Sequence, residues 1–166
     1  MPADRLTRQE ASVEKPIIIV GTGRCGSTAF HRVLASHAGT AWFSRACDAR
    51  PHDPRANRRA MQILDLSLPA RYLRKLIYPV EAYRFWDHHS PGFSEPCRDL
   101  LKEDVTPRSR RAVRRAMAQM LTPRRNRLIA KTTGWPRIGS LKEIFPDARF
   151  VPYTVTAGQW RTLVWP

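Results

Sequence analysis

The apolar positions of the chain change period several times, and each change marks an element. Pro16 opens Ile17, Ile18, Ile19 and Val20, a continuous β-branched run stopped by Gly21, which predicts a strand buried on both faces. Glycines follow at 21, 23 and 26. Ser27 and Thr28 then lead into residues 29–37, where Phe30, Val33 and Leu34 recur at helical spacing, and the pattern predicts a helix capped by Ser27 or Thr28. Ala41, Trp42 and Phe43 predict a second strand. Residues 50–59, rich in Pro and Arg, predict a loop that enters a helix near Pro54. Residues 60–86 read as mostly helical with interruptions at Pro69 and Pro79, and turn signals fill 88–96. Within 107–121, Val113, Ala116, Met117, Met120 and Leu121 form one apolar stripe of an amphipathic helix. A third strand is expected at 127–131, and a helix at 137–145 with Ile138, Leu141, Ile144 and Phe145 on one face. A fourth strand is expected at 148–151. Ahead of all these, residues 1–15 are polar and predict a disordered tail.

Strand, glycine loop and helix, followed later by strand, helix and strand, is the rhythm of an α/β domain with a parallel sheet and flanking helices. The 166 residues suit one such domain, and 42% hydrophobic residues exclude a disordered chain. The longest aliphatic run has four residues, so no helix is expected to span a membrane, and the first twenty residues lack a secretory pattern. Three cysteines (Cys25, Cys47, Cys97) with no C-x-x-C pair argue against a disulfide framework or a Cys-rich zinc site. A reducing cytoplasm is the expected compartment. The net charge of +15 permits an anionic partner without choosing one. Arg108, Arg110, Arg111, Arg114 and Arg115 fall on the polar face of the amphipathic helix and read as a solvated face. No aromatic RNA-binding run, Cys/His finger or basic region with heptads accompanies them, so no specific nucleic-acid partner is expected.

The segment Gly21-Thr22-Gly23-Arg24-Cys25-Gly26-Ser27-Thr28, between a buried strand and a helix, carries the most information. Backbone N–H groups of such a turn and of the helix start form a site for phosphate or a similar oxyanion. As G-x-G-x-x-G it fits a dinucleotide fingerprint of an NAD(P)-binding oxidoreductase, with Asp48 about 20 residues on as the ribose acid. As a P-loop it holds Ser27 where kinases and ATPases need the lysine that neutralises the β- and γ-phosphates. A turn whose glycines serve geometry alone is the plainest alternative. In a further reading the cation stands upstream. Arg24 followed by Cys-Gly-Ser-Thr resembles the 5′-phosphosulfate loop of sulfotransferases, in the pattern basic–x–Gly–Ser/Thr–Thr.

Two later segments extend that resemblance. Lys131-Thr132-Thr133-Gly134-Trp135-Pro136-Arg137-Ile138, then Leu141 and Phe145-Pro146-Asp147-Ala148-Arg149-Phe150-Val151, are similar to the region before the second cofactor motif of bacterial sulfotransferases. Those enzymes use 3′-phosphoadenosine 5′-phosphosulfate (PAPS). The resemblance covers about residues 16–151 and implies a P-loop-like three-layer domain that is incomplete at its C-terminal side. It implies sulfuryl transfer from PAPS, without a metal, to the hydroxyl or amine of a small-molecule or carbohydrate acceptor. By the same resemblance Arg24 pairs with the sulfate or 5′-phosphate, and Gly23 belongs to the loop. Cys25, Gly26, Ser27 and Thr28 present backbone and hydroxyl donors. Asp48 stands about where related enzymes place a catalytic carboxylate, although a solvated loop acid is its plainer reading. Lys131, at a strand's C-terminal end, would stabilise the leaving phosphate. Glu81 and Glu95 are weaker candidates, and His88 and His89 read as exposed turn residues.

After Val151 the chain departs from that family, whose next motif, Arg-Asp-Gly-Arg-Ala-Val-x-x-Ser, holds the 3′-phosphate. Residues 154–162 can be written ACC GTG ACG GCC GGG CAG TGG CGA ACT. Read two bases later, they give Arg-Asp-Gly-Arg-Ala-Val-Ala-Asn. Residues 152–166 are therefore expected to be a frameshifted tail on a truncated domain, without sulfotransferase activity in the 166-residue form. An accurate nucleotide sequence across codons 145–166 should hold the alternative frame open beyond them. A clean coding read in the present frame would overturn this expectation.

Overall fold

The computed structural model describes residues 13–66 and 77–153. Most of the polar tail, the stretch around Pro69 and the chain after Tyr153 lie outside the described residues. Four strands, β1 (Ile17–Gly21), β2 (Thr40–Trp42), β3 (Arg127–Thr133) and β4 (Arg149–Tyr153), form one sheet in the order β2-β3-β1-β4. Every pairing is parallel, as the βαβ rhythm requires. The helices are α1 (Ser27–Ala35), α2 (Arg45–Ala49), α3 (Pro54–Leu64), α4 (Tyr83–His89), α5 (Pro107–Met120) and α6 (Ile138–Ile144), with a 3₁₀ turn at Lys102–Asp104. The strand order carries the chain one way from β1 to β2 and back from β2 through β3 to β4, and the right-handed rule for such crossovers assigns α1 to one face and α5 and α6 to the other. Accordingly α1 packs on β1, β2 and β3, while α5 packs against both α3 and α6. The result is the expected three-layer α/β domain.

Several boundaries move. The second strand ends at Trp42, because the Phe43 carbonyl leaves the ladder to accept from the Val80 N–H at 2.8 Å. Of residues 60–86, α3 runs to Leu64 and α4 opens at Tyr83, residues 77–82 are non-helical, and residues 67–76, with Pro69, lie outside the described residues. Helix α4 then claims His88 and His89 from the expected turn, and the His89 ring meets the Pro51 carbonyl at 3.0 Å. β3 runs on to Thr133, paired with Gly21 of β1. β4 runs on through Pro152 and Tyr153; it is an edge strand, where a residue without an N–H is tolerated. Leu141 and Ile144 of α6 and Phe145 just after it are buried, but Ile138 opens the helix and is 45% exposed.

Buried aromatics fill the space between the sheet and the α3–α5 layer. Phe43 packs against Phe85 at a ring separation of 4.9 Å, and Trp86 stacks on Phe93 at 4.4 Å. Helix α5 is nucleated by Thr106, whose side chain accepts from the Ser109 N–H at 3.0 Å, with Pro107 in the first turn.

The chain's exit from β2 hangs on one fully buried amide. Asn57 Oδ1 accepts from the Ser44 N–H at 2.8 Å and from its hydroxyl at 2.7 Å, while Nδ2 donates to the Trp42 carbonyl at 2.9 Å. Asn57→Ala leaves these three groups unpaired in the interior, at a cost of about 3 kcal/mol. A urea midpoint unchanged from wild type would refute that role.

Candidate active site

Parallel register brings three strand ends together. Gly21 of β1 lies between Thr133 of β3 and Tyr153 of β4. A Cβ on Gly21 would stand 2.5 Å from the Tyr153 carbonyl oxygen, so no other residue fits without moving backbone. The loop beyond it turns through two left-handed residues, Arg24 at φ 66° and Gly26 at φ +85°. Glycine adopts this conformation freely, whereas Arg24 holds it at a cost of about 1–2 kcal/mol. Local strain of this kind is concentrated where a loop is shaped for a ligand.

Gly26, rather than a side chain, caps α1, and Ala29 N–H donates to its carbonyl at 3.0 Å. Ser27 and Thr28, expected as caps, occupy the first turn, so the caps move one residue upstream because only glycine suits the left-handed position. The Ser27 and Thr28 N–H groups find no acceptor among the described residues. They stand at the positive end of the helix dipole. Cys25 is buried with its Sγ turned toward Gly21, so it offers the loop its backbone, and Arg24 is exposed at the rim.

Beneath the loop lies a buried charge cluster. Lys131 Nζ donates to Thr28 Oγ1 at 2.8 Å and meets Glu81 Oε1 at 2.7 Å. Glu81 Oε2 accepts from the Tyr83 hydroxyl at 2.6 Å, the Thr133 hydroxyl at 2.8 Å and the Thr133 N–H at 3.3 Å. Burial pushes the Glu81 carboxyl upward, but the hydrogen bonds from Lys131, Tyr83 and Thr133 together outweigh it and hold the group below its usual range. The Tyr83 hydroxyl moves the other way, raised by burial and by its bond to Glu81. Arg137, 4% exposed, donates to the carbonyls of Phe93, Trp135 and Thr133 and lies over the Phe93 ring at 5.0 Å.

Loop and lysine therefore meet through Thr28. Lys131 sits inside β3, not at its end, because the strand is two residues longer than its apolar run. Asp48 stands apart on α2, where Oδ1 accepts from the Arg84 N–H at 3.3 Å, and it makes no hydrogen bond to the loop or Lys131 among the described residues. Glu81 joins the cluster from 50 residues before Lys131 in sequence, and no local pattern announces that contact. Among the described residues no helix is long and apolar enough to cross a membrane, and no group of His, Cys, Asp and Glu suits a metal.

The model of the Sulfotransferase family matches residues 16–154, most of the chain. The chain belongs to the sulfotransferase family. Its fold is similar to the crystal structure of sulfotransferase STF9 from Mycobacterium avium, with a TM-score of 0.52 and 18% identity. That match covers 85% of this chain and 43% of the mycobacterial one, so the chain spans less than half the length of that relative. No curated protein matches it. The dinucleotide-binding alternative is not favoured, and a sulfotransferase is a transferase by family.

Among the described residues two buried side-chain nitrogens make no hydrogen bond, Trp86 Nε1 and His31 Nε2, and only the second can titrate. His31, a turn beyond Ser27 on α1, is 1% exposed, and its Nε2 makes no hydrogen bond among the described residues. Burial lowers its pKa to about 4, helped by the Lys131 charge and partly opposed by Glu81. Above pH 6.5 both states are neutral at this ring. Between pH 6.5 and about 4 the unfolded chain takes up a proton that the native state refuses, so stability falls as pH drops through that window. The loss from this residue amounts to about 3 kcal/mol. His31→Leu should therefore shrink the drop in Tm between pH 7 and pH 5; an unaltered drop would show that residue 31 does not set it.

Proposed function

We propose that this sulfotransferase binds the phosphosulfate end of PAPS at the loop of residues 22–28. In a form that also carries the family's second cofactor motif, the sulfuryl group would pass to the hydroxyl or amine of a small-molecule or carbohydrate acceptor. The observation that supports the reading is the Lys131–Thr28 contact of 2.8 Å, which sets a buried cation beside a helix start whose first N–H groups make no hydrogen bond among the described residues, the chemistry an oxyanion needs. The donor supplies an activated sulfuryl group. Arg24, Gly23 and the Cys25–Gly26 backbone orient it, and Ser27 and Thr28 donate to its non-bridging oxygens. As the acceptor oxygen or nitrogen bonds to sulfur, the bridging S–O bond breaks and its electron pair stays on the phosphate, where Lys131 offsets the charge. With Arg24 and Lys131 supplying the positive charge, the reading calls for no metal.

The acceptor proton needs a base. Both oxygens of Glu81 are committed, one to Lys131 and the other to three donors. Asp48 keeps Oδ2 without a hydrogen bond among the described residues. We therefore retain Asp48, just after β2, as the proposed base.

Calorimetric titration with adenosine 3′,5′-bisphosphate tests the site. Wild-type protein should bind it, and Arg24→Ala should weaken binding about tenfold or more, the size of a lost charge-assisted contact. Equal affinity of the two proteins, or thermal stabilisation by NAD(P) and not by the bisphosphate, would remove the assignment.

A further inference from the structure

Lys131 is the cation proposed to meet the bound anion, yet in the folded protein it already has one. Its ammonium carries three protons; one goes to Thr28 on the loop helix and one to the Glu81 carboxylate. No third partner stands within hydrogen-bond reach among the described residues. Glu81 is in turn gripped from the far side. Tyr83 and Thr133 hold Oε2 through three donors, and Arg137 braces both, over the Tyr83 ring at 5.8 Å and on the Thr133 carbonyl at 3.3 Å. The carboxylate is therefore fixed in place and charged. The lysine, on a flexible four-carbon stem, is the partner that can turn.

We propose that Glu81 is a positioning residue that stands in for the ligand's charge. It holds Lys131 under the first turn of α1 before an anion arrives, and it then competes with that anion for the lysine. This inference rests on the oxyanion-site reading of the loop and adds to it a sign. A negative charge 2.7 Å from the recruited ammonium opposes binding of any further negative charge there. A glutamate kept only to brace the fold would do the reverse, because its loss would loosen Lys131 and weaken the site. Three donors to Oε2 explain how the carboxylate can give up the lysine: once Lys131 turns to the ligand, Tyr83 and Thr133 still satisfy Glu81. A buried carboxylate with the lysine as sole partner could not release it without a large desolvation penalty.

Two measurements on the full chain decide the matter. In calorimetry with adenosine 3′,5′-bisphosphate, Glu81→Gln keeps the shape and one acceptor oxygen for Tyr83 and Thr133, while it removes the charge and the acceptor that faces Lys131. It should bind the bisphosphate about five- to tenfold more tightly than wild type, at the low end of the usual coupling between two sites. Inorganic pyrophosphate should show the same preference, since the competition is for charge and not for adenosine. The second measurement needs no variant. By reciprocity, the bisphosphate should raise the titration midpoint of the Glu81 carboxyl, followed by carbon-13 NMR in wild-type protein, as Lys131 withdraws. Equal or weaker binding by Glu81→Gln, or a Glu81 titration indifferent to the ligand, overturns the competition and leaves the proposed site intact. If neither protein binds bisphosphate or pyrophosphate, the oxyanion site itself falls and this inference with it.

Discussion

The close approach of three backbones at Gly21 is the constraint on which the rest of the molecule depends. β1 lies between β3 and β4, so its last residue is hemmed in on both sides, and the Tyr153 carbonyl occupies the space a side chain would need. That crowding forces the chain to leave the sheet as soon as Gly21 is passed, and the left-handed Arg24 and Gly26 complete the turn into α1. Register does the remainder. Lys131 pairs with Ile19, two residues before the end of β1, and this offset puts its side chain beneath the first turn of the helix rather than beyond it.

The charges under the loop are expensive to bury, and hydrophobic residues of like volume would serve stability at least as well. Lys131 and Glu81 pair, Arg137 finds three carbonyls, and His31 avoids the cost by remaining neutral. The arrangement makes sense as a site. It keeps the buried Lys131 charge beside a helix N-terminus at the foot of an exposed loop, which is what the proposed site requires.

The large positive charge of the chain is, by comparison, weakly informative. On α5, Arg110 pairs with Glu143 at 3.1 Å, and Arg114 donates to the Ile144 carbonyl at 3.0 Å while lying over the Phe145 ring at 5.4 Å. Both join α5 to α6 through one side of the helix. Arg108, Arg111 and Arg115 face solvent, as the apolar stripe required. A helix face rich in arginine thus divides into a packing seam and a solvated surface, and neither depends on a polyanionic partner.

Much of the fold was legible because its signals are local. A β-branched run, glycines at 21, 23 and 26 and a following apolar helix period specify strand, turn and helix by steric preference alone. The apolar stripe of residues 107–121 and the Phe145-Pro146-Asp147 turn do the same for the second half. The loop and Lys131 could be named from these patterns and from the family resemblance they carry. What stayed hidden was long-range. Glu81 reaches Lys131 across 50 residues, Arg137 reaches Phe93 across 44, and His31 became a buried orphan only when α1 docked on the sheet. Sequence by itself determined the main strands, the glycine turn and the longer helices, since those conformations depend on residues a few positions apart. Which charges neutralise one another was decided by tertiary structure alone, because a buried ion pair depends on the register of strands and the docking of helices.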